Sequence, residues 1–211
     1  MIVKLISNTE RPERTVALAG RFTRGDKPFE ELEKAVNNLT YCEEFIQRLI
    51  QAGHESVLEH ASFTFYIDNI SRVCSHQLVR HRIASYSQRS QRYGKGSFDF
   101  VIPESIAKSE RLFERYLGFA DVSAYTYYDL CSEGVPPEDA RYVLVQGVTT
   151  GLIVTMNVRE LRHFFNLRLS PDAHWEIRKL ARLMLEEVMK VSPSFFEDIY
   201  IKFTKEEESN E

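Results

Sequence analysis

Polar and apolar residues alternate over SFTFYID, with Phe63, Phe65 and Ile67 on one face and Ser62, Thr64 and Tyr66 on the other. That period of two predicts a half-buried strand. The opening residues to about Asn8 also read as a strand, GLIVTM as a buried one, and FDFVIP as a short one stopped by Pro103. Helical spacing takes over elsewhere. Thr40 and Glu43 form a T-x-x-E start for Phe45, Ile46, Leu49 and Ile50, and Gly53 closes that helix. Ser71 caps a helix carrying Val73, Cys74, Leu78 and Val79. A long helical region runs from roughly Glu104 to Ser132 with Leu112, Phe113, Tyr116 and Leu117 on one stripe, and GVPPEDARYVLV begins a helix at its prolines. Asn157 caps a helix with Glu160 at its third position. Pro171 and Asp172 open the last long helix, whose apolar face is Trp175, Leu180, Leu183, Met184 and Val188. Strands mixed with helices, without regular βαβ alternation, predict an α+β fold: a small, mostly antiparallel sheet packed with several long helices in a single domain. The domain is expected to span 1–203, with 204–211 a charged, frayed tail.

Length and composition fit that picture. The 211 residues suit one sizeable domain, and 43% hydrophobic and 27% charged residues are ordinary for a soluble globular protein. No apolar run reaches the roughly 20 residues that cross a bilayer, and MIVKLISNTERPERT reads as a strand rather than a signal peptide. Cys42, Cys74 and Cys131 are odd in number, far apart and lack a C-x-x-C pair, which points to a reducing cytoplasm and to thiols serving as small buried hydrophobes.

Charge changes the picture more. The chain carries a formal net charge of -4, yet no Asp or Glu occurs from Asn69 to Phe98. That window holds Arg72, Arg80, Arg82, Arg89, Arg92 and Lys95, with His76 and His81. Guanidinium forks match phosphate or carboxylate by two-point contact, and so many would repel one another without an anion among them. A nucleic-acid surface, with Tyr86 and Tyr93 stacking on bases, is one reading. Such domains are usually basic overall, whereas this chain has a pI near 5.9, which favours a nucleotide or cofactor. Ser85, Ser87, Ser90, Gln88 and Gln91 suit a loop that coordinates phosphate and sugar oxygens, with Gly94-Lys95-Gly96 turning the chain away. No G-x-G-x-x-G or Walker sequence is present, so a bound nucleotide would use neither a Rossmann nor a P-loop cradle.

NVRELRHFFNLR, Asn157 to Arg168, is the second cluster. Leu161, Phe164, Phe165 and Arg168 share one side, so Arg168 either snorkels or is aimed into an apolar-walled pocket, where its charge acts strongly. HESVLEH is a weaker signal. Its histidines, His54 and His60, lie six apart and so point about 120° from each other on a helix. No metal site is expected there, and the segment reads as a turn.

Arg80-His81-Arg82 followed after seven residues by Ser90 resembles the RHRx7S signature of the flavin-dependent thymidylate synthases. GHESVLEHASFTF, VPPEDARYVL, NVRELRHFFNLR and HWEIRKLA resemble the family's other blocks in the right order, from Met1 to about Phe203. The resemblance implies FAD as cofactor, dUMP as substrate, methylenetetrahydrofolate as carbon donor, NADPH as reductant, and a cytoplasmic homotetramer with shared active sites. It implies FAD contacts from Ser56, Arg80, His81, Arg82, Gln88, Asn157, Val158, Arg159 and His163. It implies dUMP contacts from Gln77, Leu78, Val79, Arg80, Gln88, Arg89, Ser90, Gln91, Arg92, Arg141 and Arg168, with Arg168 the activating residue. Neither nucleic acid nor membrane is an expected partner.

Some positions depart from the family pattern: Gln88 where some members carry Glu, His163 where Asn is common, and His174 where Gln often precedes Trp175. Gln88 can hydrogen-bond but cannot serve as a carboxylate. Ser90 has no base beside it and reads as a dUMP ligand, and no cysteine sits in an activating context.

Overall fold

The computed structural model of the chain describes residues 1–92 and 98–208. Strand β1 (Ile2–Asn8) leads into α1 (Pro12–Phe22), α2 (Phe29–Ala35) and α3 (Leu39–Gln51). A 3-10 turn (Glu55–His60), β2 (Ser62–Ser71), α4 (Arg72–Leu78) and β3 (Ala84–Gln88) follow. Next come α5 (Glu104–Ala107), α6 (Glu110–Ser132), α7 (Pro137–Ala140) and a 3-10 turn (Arg141–Val143). The chain continues with β4 (Thr149–Asn157), α8 (Val158–Arg168), α9 (Trp175–Met189), a 3-10 turn (Pro193–Phe195) and α10 (Glu197–Glu208). The four strands form one antiparallel sheet in the order β1-β2-β4-β3, the α+β class that the pattern predicts.

The chain divides into two compact units. One comprises residues 1–2, 67–80 and 87–152. Its core is built from Ile67, Ile70, Cys74, Leu78, Ala120, Tyr127, Ala140, Val148 and Leu152, all buried. The other comprises 3–66, 81–86 and 153–211. There Phe63, Phe65, Phe164, Phe165, Phe195 and Phe196 are completely buried, with Phe165 and Phe196 edge to face at 5.5 Å. Each such ring contributes about 1.5–3 kcal/mol by leaving water.

The alternation of β2 is realised, with Phe63, Phe65 and Ile67 at zero exposure. Ser71 caps α4, its Oγ accepting from Cys74 N at 3.0 Å, and Gly53 (φ 72) follows the end of α3. Other elements shift. The cap of α3 is Asn38, whose Oδ1 accepts from Tyr41 N at 3.1 Å, so Thr40 lies inside the helix. FDFVIP makes only an isolated bridge, Phe100 to Val148. The helical region from Glu104 is two helices, and Leu112 on its predicted stripe is 39% exposed, the buried residues of α6 being Ala120, Ser123 and Tyr127. The helix at the prolines is one turn long. The helix expected at Pro171 starts at Trp175, capped by His174 Nδ1, and is followed by α10, so helix runs to Glu208 through most of the expected tail. Helices α1 and α2 have no counterpart in the sequence expectation. The turn expected at Gly94-Lys95-Gly96 and the stacking role of Tyr93 lie outside the described residues.

Candidate active site

Residues 84–88, expected as loop, form edge strand β3, with burial alternating along it. His81 precedes that strand and is only 4% exposed. Its Nδ1 lies 2.9 Å from Glu160 Oε1, and Nε of Arg168 lies 3.1 Å from its Nε2. A carboxylate only accepts and a guanidinium only donates. The imidazole is therefore neutral, with its proton on Nδ1 and a lone pair on Nε2. Burial is the largest effect lowering the His81 pKa, aided by the Arg168 charge and opposed by Glu160. Phe164 meets the ring edge on at 5.0 Å, and the Tyr86 hydroxyl donates to the His81 carbonyl at 2.7 Å. Both ring nitrogens are thus committed, although His81, Glu160 and His163 could bring ligand atoms within 4.8 Å of one another.

Helix α8 supplies the rest of this cluster. Asn157 is its cap, its Oδ1 accepting from Glu160 N at 2.8 Å. In a capping box the glutamate would reach back to the cap's own N–H, but the Glu160 carboxylate turns inward to His81. The Val158 side chain is fully buried and its N–H donates to Ala61 O at 2.9 Å, so it sets backbone position. Arg159 pairs with Glu59 and Glu55, while Arg162, buried, forks onto Asp198 at 2.8 and 2.7 Å. Burial raises the Asp198 carboxyl, but its bonds to Arg162 outweigh that and hold it below its ordinary value. An open cavity of about 540 Å³ is lined by Glu55, Glu59, Ile83, Asn157, Arg159, Glu160, Arg162, His163 and Asn166. Of the expected FAD set, Asn157, Arg159 and His163 meet here. Ser56 instead lines an apolar groove with Leu18, Phe22 and Leu32. Arg82 is exposed, with no carboxylate partner among the described residues.

The remaining candidates belong to the other compact unit. Gln91 and Arg141 share a cavity of about 300 Å³ with Arg72, His76, Tyr142, Gln146 and three apolar residues, and no carboxylate is among its lining residues. Arg72 is half-buried, and burial first, then the Arg141 charge, lowers its pKa. No carboxylate in the lining answers the charge of Arg72 or Arg141, an arrangement that favours an anion. Arg141 donates from Nε to Glu138 O at 3.1 Å. Other expected dUMP ligands are not lining residues of this cavity. Leu78 is buried in the core and Val79 is 38% exposed. Gln77 lies in the last turn of α4 beside Leu78, and Arg80 is exposed. Arg89 is paired with Asp68 at 3.0 Å, and Gln88 donates to Thr150 Oγ1 at 3.3 Å. Gly151 permits that arrangement, since a Cβ there would lie 2.6 Å from Asp68 Oδ1. Ser90 Oγ accepts from Arg92 N at 3.2 Å, and Arg92 is exposed.

Sequence reasoning missed Glu160, Ile83, Arg162 and Asn166 at the first cavity and His76 and Arg72 as liners of the second. Arg72 and His76 stand at i and i+4 on α4 inside the acid-free window, which was the available signal. For Glu160 no local pattern separates an inward-facing carboxylate from a capping one.

The family described as thymidylate synthase complementing protein matches residues 4–194. A flavin-dependent thymidylate synthase of Geobacter sulfurreducens is 46% identical over 202 residues, covering 94% of this chain and 86% of the relative. The one from Pyrococcus furiosus is 47% identical, covering 89% and 79%, and the one from Saccharolobus solfataricus 49%, covering 92% and 75%. With that match spread across nearly the whole chain, this protein belongs to the flavin-dependent thymidylate synthase family.

Proposed function

We propose that the protein converts dUMP to dTMP, with methylenetetrahydrofolate as carbon donor and NADPH as reductant of a bound FAD. It works as a cytoplasmic homotetramer whose subunits share active sites. The observation that carries the reading, beyond family membership, is the cavity lined by both Arg72 and Arg141 with no carboxylate in its lining. A nucleotide phosphate is the anion such a pair takes. Among the described residues no helix is long and apolar enough to cross a membrane.

The chemistry of the first cavity fits a flavin nucleotide. Ile83, 64% exposed, offers apolar contact to a ring system, and Asn157, with its oxygen engaged in the cap, keeps its amide N–H groups to donate. His163 adds a polar partner from the lining, and Arg82, exposed and next to Ile83 in the chain, offers a cation. When bound and reduced, FAD supplies the hydride that completes the methyl group. The protein's part is to make uracil C5 nucleophilic. The Arg168 guanidinium, set against the O2/N3 edge of the pyrimidine, stabilises negative charge developing there. One preorganised donor of that kind is worth about 3 kcal/mol. No thiolate is needed. Cys42 and Cys74 are buried, and burial raises the Cys42 thiol further from ionisation. Arg92, Gln91 and Ser90 hold dUMP, and Gln88 donates rather than taking a proton.

The test is the visible spectrum and FAD titration of the purified protein, followed by chromatography of dTMP formed from dUMP, methylenetetrahydrofolate and NADPH. The expected result is a yellow protein whose product formation requires all three. Colourless protein that takes up no FAD but shifts single-stranded DNA, steeply weakened by salt, would replace this reading with a nucleic-acid-binding one.

A further inference from the structure

Glu160 is 6% exposed, and a buried carboxylate is costly unless it is paired and hydrogen-bonded. Its partner is His81, whose other nitrogen accepts from Arg168. Glu160, Phe164 and Arg168 recur at four-residue spacing and so line one face of α8. His81 lies across that face, gripped by a hydrogen bond at each end and by the Phe164 ring between.

We propose that Glu160 is a positioning residue for Arg168: it keeps the His81 proton on Nδ1, so that Nε2 accepts from Arg168 and fixes the guanidinium plane. The proposal rests on the reading of Arg168 as the group that activates the pyrimidine. The donor and acceptor inventory leaves one arrangement that works. With the proton on Nε2, an N–H would face the Arg168 Nε–H and a bare lone pair would face the carboxylate. With both nitrogens protonated, the clash at Arg168 remains. The chain Glu160–His81–Arg168 therefore carries orientation from a group that touches no substrate to one that does.

The titratable and charged groups facing His81 are Glu160, His163 and Arg168 from α8 and Tyr86 from β3. Burial holds the Tyr86 hydroxyl protonated far above the working range. Protonation of His81 disrupts the arrangement, so turnover has an acid limb. Glu160→Gln removes the charge that favours imidazolium and moves that limb to lower pH. It keeps an oxygen to accept from Nδ1, so most of kcat survives. Glu160→Leu removes the acceptor and lowers kcat per flavin-loaded molecule on the order of tenfold to a hundredfold, with the KM for dUMP unchanged. Long-range 15N–1H spectra of histidine-labelled protein report the tautomer directly: Nδ1–H in the wild type and Glu160→Gln, lost in Glu160→Leu.

Wild-type kcat in Glu160→Leu, an unmoved acid limb in Glu160→Gln, or an Nε2–H tautomer in the wild type overturns the proposal. The Gln variant and the wild-type spectrum suffice should Glu160→Leu fail to fold. Arg168→Ala, assayed alongside, separates the two ideas. If it loses dTMP formation while the Glu160 variants behave as wild type, positioning fails and the reading of Arg168 stands. If Arg168→Ala makes dTMP normally, the reading of Arg168 fails and the proposal falls with it.

Discussion

Arg168 donates from Nε to Nε2 of His81 at 3.1 Å, so one edge of its guanidinium is fixed by a neutral, buried imidazole. An imidazole in that state orients the cation without neutralising it, which suits a group whose charge is to act on a ligand.

Arg168→Ala should keep the flavin, the oligomer and NADPH-dependent flavin reduction while losing dTMP formation at least about a hundredfold, as for removal of one preorganised donor. Arg168→Lys should recover part of that loss, since an ammonium is a point charge and cannot span two acceptors. FAD content, flavin reduction and product are measured on one preparation. Loss of FAD as the sole defect would move Arg168 into the cofactor site.

The same imidazole makes a pH prediction. Its folded pKa is lowered, so the unfolded chain binds more protons as pH falls through the unfolded value, about 6.5. The stability it contributes is fully present above that value and is lost as pH falls through the folded value. Asp198 is also lowered, but from a carboxylate value, so its loss comes at more acid pH. Urea unfolding from pH 8 to 5 should show a falling midpoint, and His81→Gln should flatten that fall. An equal slope in wild type and variant would mean that His81 titrates normally.

Fold and site were legible to different degrees. Strand β2 and the caps at Ser71 and Asn157 follow from local chemistry, because alternation and a single side-chain oxygen suffice to specify them. Helix α1 was invisible because its buried face is Val16, Ala17 and Gly20 rather than large apolar residues. A Cβ on Gly20 would lie 2.9 Å from Leu49 Cδ1, so the small residue records a close approach of α3 that no window on α1 contains. The Asn38 cap was missed because Thr40 with Glu43 makes the stronger-looking signal two residues later. At the site, the acid-free window marked the region of Arg72, Gln91 and His81, but nothing in it selects which arginines share a cavity. Arg89, for instance, is answered by Asp68, just outside the window. The Glu160–His81 pair joins residues 79 apart, beyond any local pattern.

Thiol chemistry gives a clean negative test. Cys42 and Cys74 are buried, Cys131 is half-buried, and Cys42 Sγ donates to Val36 O at 3.3 Å. The triple replacement by Ala or Ser should leave dTMP formation per folded, flavin-loaded molecule substantially intact. Its cost should fall on thermal stability, through the two buried sites. A triple variant that folds, holds FAD and binds dUMP yet makes no product would show that a thiol takes part.

Arg72 should trade stability for affinity. It is half-buried, has no carboxylate partner among the described residues, and lines one cavity with Arg141, Gln91 and His76. Without an anion the two guanidiniums repel, and desolvation adds to the cost. Arg72→Met keeps the length of the stem and removes the charge. It should leave the melting temperature of the ligand-free protein unchanged or higher. It should weaken dUMP by about tenfold to a hundredfold, the worth of a charge-assisted hydrogen bond of about 1.5–3 kcal/mol, with FAD content untouched. Arg72→Lys should fall between, retaining charge without the fork. Adding dUMP should raise the melting temperature of the wild type more than that of Arg72→Met, because only the wild type relieves a repulsion on binding. Differential scanning fluorimetry with and without dUMP, on wild type and both variants, reads all of this together. A fall in ligand-free stability with dUMP affinity intact would make Arg72 a structural residue and remove the phosphate from that cavity.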